Sequence, residues 1–271
     1  MENFADKKVG VVYPTFEEYP NRMPAENIVK YIPQNADFAY TADDLKAFFG
    51  DKDIKLMLLV NPDNPSGNYI KKNDVLQLVK WAAEREIRII VDESFVDFTD
   101  NHKDNSLLHN DILESNPNLM VMKSISKSYG VPGLRLGVFA TSDKEIIAKM
   151  KKDVAIWNIN SFAEYYMQIF AKYAKDYDEA CDKFIEERKL FVNELRQIPF
   201  LRVIDSQANY FLCEVTKKYT STELTRILLD KADILIKDCS TKSAFGGKNY
   251  IRIAIRDRKD NSKLVETLKK L

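Results

Sequence analysis

The chain has 271 residues, 45% of them apolar and 30% charged, which is too apolar for a disordered polypeptide and fits a folded core under a well-solvated surface. Basic and acidic side chains number 41 each, so the formal charge is zero and nothing in the bulk electrostatics invites nucleic acid or an anionic membrane. No apolar run approaches the ~20 residues of a membrane span, and residues 1–6 lack signal-peptide character.

In chain order, residues 2–6 read as the tail of a helix and residues 9–13 as the first strand. The loop 14–21 is bracketed by Pro14 and Pro20 and carries Phe16 and Tyr19. Residues 28–32 read as a short strand and 41–49 as a helix, with Thr41 as N-cap and Leu45, Phe48 and Phe49 on its apolar side. A regular alternation follows: strand 54–60, amphipathic helix 72–86, strand 87–91, and short apolar runs at 119–122 and 136–140. Such runs between helices predict a mainly parallel sheet covered on both faces. His102 and His109 are the only histidines and stand alone, so no metal site is expected. Residues 144–153 and 161–196 have helical patterns, the second broken near Lys175-Asp176. Strands at 201–204, 210–215, 234–237 and 250–255 then alternate with helices at 221–231 and 261–271. The expected organisation is an α/β large domain over 1–165, a helical bridge over 166–195 and a small C-terminal α+β domain over 196–271. The cysteines, Cys181, Cys213 and Cys239, form no C-x-x-C pair, so a reducing, cytoplasmic setting is expected.

Chemistry concentrates at predicted strand ends, where open α/β sheets hold their ligands. Residues 124–137, Ser-Ile-Ser-Lys-Ser-Tyr-Gly-Val-Pro-Gly-Leu-Arg-Leu-Gly, directly follow the run 119–122. Lys127 between two serines, with Arg135 further on, places an amine beside donors for a phosphate, which suits a phosphorylated carbonyl compound captured as a Schiff base. For the bare Ser-x-Ser-Lys, a polar loop with one solvated lysine fits as well. Asn61-Pro62-Asp63-Asn64-Pro65-Ser66-Gly67 forms a stiff turn after the strand ending at Val60 and presents the Asn64 amide. Asp92 closes the strand before it. Arg252 lies on a predicted strand among apolar neighbours and needs an anion, for which a substrate carboxylate and an internal acid serve equally.

The full spacing of residues 124–137 resembles the pyridoxal-phosphate attachment signature of class I aminotransferases, which are fold-type I pyridoxal-phosphate enzymes. The resemblance implies that Lys127 holds the cofactor as a Schiff base while Ser124, Ser126 and Arg135 bind its phosphate. Asn64 stands in a turn similar to the family's N-P-[TS]-G and would hydrogen-bond the ring hydroxyl. Asp92-Glu93-Ser94-Phe95 resembles D-E-x-[YF], so Asp92 would keep the ring nitrogen protonated. Phe95 departs from the commoner tyrosine, which leaves Asn64 to serve the ring oxygen alone. Phe16 matches the place of an aromatic stacked on the cofactor, and Arg252 that of the α-carboxylate arginine. Trp157-Asn158-Ile159-Asn160 resembles a segment of threonine-phosphate decarboxylases and makes Asn158 a candidate for substrate binding; Asn209-Tyr210-Phe211 is similar to histidinol-phosphate aminotransferases. The expectation is a homodimeric pyridoxal-phosphate-dependent aminotransferase acting on a small amino acid, phosphorylated or not. A threonine-phosphate-type decarboxylase and a non-catalytic fragment of a larger aminotransferase are the alternatives. Family chains carry on the order of 100 further residues, a small domain's worth, ahead of the strand at 9–13, with a glycine turn for the cofactor phosphate, and this portion is expected to be missing.

Overall fold

The computed structural model describes residues 6–271, so the helical reading of 2–6 lies outside the described residues apart from Asp6, which sits in a turn. The first sheet consists of β1 (Val9–Val12), β2 (Ile28–Tyr31), β3 (Leu56–Val60), β4 (Arg88–Asp92), β5 (Leu119–Ser124) and β6 (Gly137–Ala140), in the order β2-β1-β3-β4-β5-β6. All neighbours are parallel except β5 and β6, which pair antiparallel from Val121 opposite Ala140 to Ser124 opposite Gly137. The central strand β3, Leu-Met-Leu-Leu-Val, is buried along its whole length, as a strand covered on both faces must be.

Helices α1 (Ala42–Phe49) and α2 (Lys72–Ala83) cover one face of this sheet. Thr41 caps α1 through a reciprocal capping box with Asp44, and α2 buries Val75, Leu78, Val79 and Ala82, the stripe its helical period dictates. Val9, Val11, Leu56, Leu58 and Ile90 build a second apolar cluster on the other face. The chain continues through the short α3 (His102–Asn105) and α4 (Asn110–Ser115), then α5 (Lys144–Asp153), α6 (Ser161–Ile169) and the long α7 (Ala174–Leu195). The break in the helical stretch falls earlier than 175–176, as a 3-10 turn at Phe170–Tyr173, where Phe170 packs on Tyr129.

The second sheet, β7 (Leu201–Val203), β8 (Tyr210–Val215), β9 (Lys237–Asp238) and β10 (Tyr250–Ala254), is antiparallel in the order β7-β8-β10-β9. With α7, α8 (Ser221–Ala232) and α9 (Arg258–Lys269) it encloses a core of its own. The strand expected at 234–237 is reduced to Lys237–Asp238. Asp233 ends α8 in the left-handed conformation, Ile236 turns into the core, and only the following two residues reach β10.

The two sheets meet at specific points. Phe95, Phe98, Ala208 and Tyr210 form one shared apolar cluster. Gly67 has φ +78° and lies so close to the β7–β8 connection that a Cβ there would stand 2.1 Å from Ser206 Oγ, and the Gln207 N–H donates to the Gly67 carbonyl at 2.9 Å. Buried Arg188 of α7 ties Asp100 (3.0 Å) to Gln207 (3.2 Å) and also donates to the Phe98 carbonyl. The Asn64 turn is thereby fastened to the second sheet. Among the described residues no helix is long and apolar enough to cross a membrane, and no group of metal-ligating side chains gathers.

Candidate active site

Register brings the candidate segments together. Val60 pairs with Asp92, and Asp92 with Met122, so the Asn64 turn, Asp92 and the Ser124–Lys127 turn all leave the sheet at the same end of three adjacent parallel strands. The ladder runs on past the strand ends: the Asn61 N–H donates to the Asp92 carbonyl and the Glu93 N–H to the Met122 carbonyl, each at 2.9 Å. Glu93 itself turns away and accepts from the Leu107 N–H at 2.8 Å, pinning the segment after β4.

Asp92 is buried and held on both oxygens. The Tyr19 hydroxyl donates to Oδ2, while the Ser94 N–H (2.9 Å) and hydroxyl donate to Oδ1. A carboxylate offers about four lone-pair sites, so three donors leave room for one more. The Ser94 hydroxyl also accepts the Ser124 N–H at 2.9 Å, joining the Asp92 strand end to the turn that carries the lysine.

Lys127 lies on an exposed turn, yet its amine stands 4.9 Å from the centroid of the buried Phe95 ring. Loss of water around the amine lowers its pKa, the positive charges of Arg135 and Arg252 push the same way, and Asp92 opposes them. Among the described residues no carboxylate forms an ion pair with Lys127. Ser124 and Ser126 share the turn, the Ser126 N–H reaching Ser124 Oγ at 3.4 Å. Arg135 is exposed, donates to the Pro132 carbonyl at 3.2 Å and adopts φ +57°, a left-handed conformation that costs a non-glycine residue strain and tends to persist where function holds it.

From the other side, buried Asn64 accepts a hydrogen bond from Arg252 at 2.7 Å, and the Arg252 guanidinium packs 4.8 Å from the Tyr210 ring centroid. Tyr210 packs edge-on against Phe95 at 5.2 Å and donates to the Asp63 carbonyl at 2.7 Å. Burial pushes the Asp63 carboxyl up to about 6, against the opposing donors Ser66 and Tyr40. Of the two anions that could serve Arg252, the internal one is not found: among the described residues no acid pairs with it. Phe16 is 46% exposed and meets Tyr19 edge to face at 5.7 Å, at the rim of the group. Asn158 is exposed beside Trp157, and among the described residues no hydrogen bond joins it to the Lys127 group; two positions on, Asn160 is anchored to the Leu134 carbonyl at 3.1 Å.

Sequence reasoning missed Tyr19, Ser94 and Tyr210 as parts of this site, and also a buried ion pair behind it. Lys123 of β5 donates to Asp97 at 2.7 Å, both side chains only 9% exposed. The apolar run before Lys123 was the signal for a strand, but nothing in it showed that the lysine turns inward. Breaking a buried pair leaves a charge without compensation, so Lys123→Ala should destabilise the fold by about 3–5 kcal/mol, and Lys123→Met with Asp97→Leu should recover most of that. Urea unfolding midpoints of the two variants check this.

The donor set fits pyridoxal phosphate. Lys127 presents an amine that has no ion-pair partner among the described residues, Asp92 a carboxylate with one acceptor site left, Asn64 an amide, and Ser124, Ser126 and Arg135 a run of anion donors at a strand end. A family model described as aminotransferase class I and II matches residues 2–268. An L-serine phosphate decarboxylase of Sulfurospirillum multivorans is 31% identical over 270 residues, covering 98% of this chain and 68% of that protein. A CMP-5'-(3-aminopropyl)phosphonate synthase of Streptomyces rubellomurinus is 31% identical over 94% of this chain, which spans only 40% of the length of that relative. The solved histidinol-phosphate aminotransferase of Clostridium acetobutylicum superimposes with a TM-score of 0.85 at 29% identity, over 97% of this chain and 77% of its own. The chain therefore belongs to the class I and II aminotransferases, a family of pyridoxal-phosphate-dependent enzymes.

Proposed function

We propose that the protein removes the α-carboxylate from a small O-phosphorylated amino acid. The observation that carries pyridoxal-phosphate chemistry on an α-amino acid is the juxtaposition, across the Phe95–Tyr210 floor, of the Lys127 amine and the Arg252 guanidinium, neither of which has a carboxylate partner among the described residues; what favours decarboxylation is the likeness to the Sulfurospirillum enzyme. The similarity to a serine-phosphate decarboxylase supports the substrate class.

Bound pyridoxal phosphate supplies an electron-accepting ring conjugated with the substrate nitrogen, so that a bond at Cα can break and leave its electron pair with the ring. Asp92 would hold the proton at the ring nitrogen, Asn64 the ring hydroxyl, and Ser124, Ser126 and Arg135 the phosphate. Arg252 receives the substrate carboxylate as a bidentate partner. When the Cα–carboxylate bond breaks, CO2 departs and Cα needs one proton, which the Lys127 ammonium can give; Lys127 then needs a proton from water for the next turnover. A transaminase uses the same amine to take a proton from Cα instead, and which bond stands across the ring plane decides between the two. The likeness to a histidinol-phosphate aminotransferase supports that second reading.

Incubation with pyridoxal phosphate and O-phospho-L-serine separates them. Release of CO2 with formation of the phosphorylated amine, and no need of an oxo acid, supports decarboxylation. Amino-group transfer to an added 2-oxo acid supports transamination, and neither product means that the substrate class is wrong.

We further propose that two copies pair through the segment at 154–167. Ile156 and Trp157 are 93% exposed and Phe162 80%, large apolar side chains that an isolated chain would leave in water. Trp157→Glu should shift the sedimentation coefficient to that of a monomer while the far-UV circular dichroism stays unchanged. Cys181, Cys213 and Cys239 are buried and free, which suits the cytoplasmic setting we propose.

A further inference from the structure

We infer that the Lys242 ammonium receives the side-chain phosphate of the substrate, and that the Glu17 carboxylate holds that place until the substrate displaces it. The inference rests on the reading that the substrate is an O-phosphorylated amino acid.

Such a substrate carries an anion at each end. Arg252 takes the carboxylate, Arg135 the cofactor's phosphate and Lys127 the reacting nitrogen, so the side-chain phosphate needs a further cation. Lys242 belongs to the loop that joins β9 to β10, the strand of Arg252. It reaches across to the loop after β1, donating to the Thr15 carbonyl at 2.8 Å and to Glu17 at 2.9 Å. That loop also supplies Phe16, at the rim of the site, and Tyr19, which donates to Asp92. Ala244, two residues beyond Lys242, packs on the cluster that contains Tyr13 and Tyr19, so the two loops meet over a shared contact. The charges agree with this placement. Burial raises the pKa of the Cys239 thiol, and Arg252 and Lys242 both act to lower it, which sets the two cations around one buried group.

The Lys242–Glu17 pair has the form of an exchangeable anion site. The Lys242 side chain is 11% exposed and that of Glu17 49%. Buried Thr15 fixes the ammonium through its carbonyl, whereas among the described residues no second donor serves the Glu17 carboxylate. An ion pair with one partner half in water contributes little, so releasing Glu17 costs little. A phosphate monoester brings about 1.5–2 negative charges at neutral pH and three acceptor oxygens, which outcompetes the single charge of the carboxylate. Lys237 stands opposite Arg252 in the β9–β10 ladder, but it is exposed and would have to be ordered out of water. Lys242 is already oriented, and that is the cheaper way to bind.

The test uses the full chain loaded with pyridoxal phosphate and reduced with borohydride. The cofactor's own phosphate is then in place and turnover is stopped, so titration calorimetry reads binding alone. O-phospho-L-serine is titrated directly, and L-serine by displacement of it. In Lys242→Gln the affinity for O-phospho-L-serine should fall about 10- to 100-fold, the equivalent of one charge-assisted hydrogen bond, with L-serine nearly unchanged. Glu17→Gln should act in the opposite direction: with the competing carboxylate gone, O-phospho-L-serine binds more tightly. A contact that merely fastens the two loops predicts weaker binding of both ligands in both variants. Equal loss for the two ligands in Lys242→Gln overturns the inference, and so does weaker O-phospho-L-serine binding in Glu17→Gln. Loss of the preference for the phosphorylated ligand in Lys237→Gln, with Lys242→Gln unaffected, overturns it as well. Glu17→Gln changes an exposed side chain and decides the matter by its sign where Lys242→Gln does not fold. Failure of the underlying reading has a separate signature: the wild type then binds O-phospho-L-serine no more tightly than L-serine, and the inference falls with it.

Discussion

Pyridoxal phosphate added to the chain and fixed with borohydride should be found on Lys127 ahead of the other lysines, and Lys127→Ala should remove both the adduct and turnover. A lysine attacks an aldehyde only as the free amine, and an ordinary lysine, with a pKa of about 10.4, is almost wholly protonated at neutral pH. Lys127 differs because partial burial lowers its pKa and the positive charges of Arg135 and Arg252 add to the effect, outweighing the pull of Asp92. The sign follows directly: labelling is lost as pH falls through the amine's pKa, and since that pKa is lowered, Lys127 stays reactive at a pH where surface lysines have stopped reacting. Loss of the base alone should cost about 10²–10⁴ in rate, and loss of the attachment point adds to that. Mass spectrometry of peptides from the reduced protein decides the matter. Adduct scattered over surface lysines would mean that the turn at 124–137 does not by itself select the cofactor.

Much of this site could be read from the chain because its parts sit where local patterns are strongest. The apolar runs that became β3, β4 and β5 end within register of one another, so three turns defined by sequence converge through the ladder of the sheet alone. What stayed hidden depends on packing across unlike elements. Tyr19 reaches Asp92 over 73 positions and across an intervening strand, since β3 lies between β1 and β4. No periodicity in the loop after β1 distinguishes that tyrosine from Tyr13 or Phe16. The antiparallel pairing of β6 was equally silent, because a short apolar run has the same appearance in either direction. For Arg252, the strand pattern left two anions open, and the three-dimensional arrangement sets Asn64 and Tyr210 against the guanidinium, with no acid paired to it among the described residues.

Arg252→Met should reduce kcat/KM for an α-amino acid by about 10²–10⁴, mainly through KM, while pyridoxal-phosphate affinity changes by no more than a few fold. Two charge-assisted hydrogen bonds to a carboxylate, at about 1.5–3 kcal/mol each, set that range. The guanidinium is already oriented: one nitrogen donates to Asn64 at 2.7 Å, and the flat face rests 4.8 Å from the Tyr210 ring centroid, itself held by the Asp63 carbonyl at 2.7 Å. Little freedom is then left to lose when a carboxylate arrives, which is what preorganisation contributes to affinity. Arg252→Lys is not a conservative control, because an ammonium cannot present the planar fork or stack on the tyrosine in the same way. The informative control is the substrate: a primary amine of the same side chain without the carboxylate should bind wild type and variant alike, as an inhibitor measured by competition. If the amine loses as much affinity as the amino acid does, Arg252 acts by holding Asn64 in place and not by receiving the carboxylate. The two roles then separate cleanly, since Asn64→Ala would reproduce the loss in the first case and leave most carboxylate recognition intact in the second.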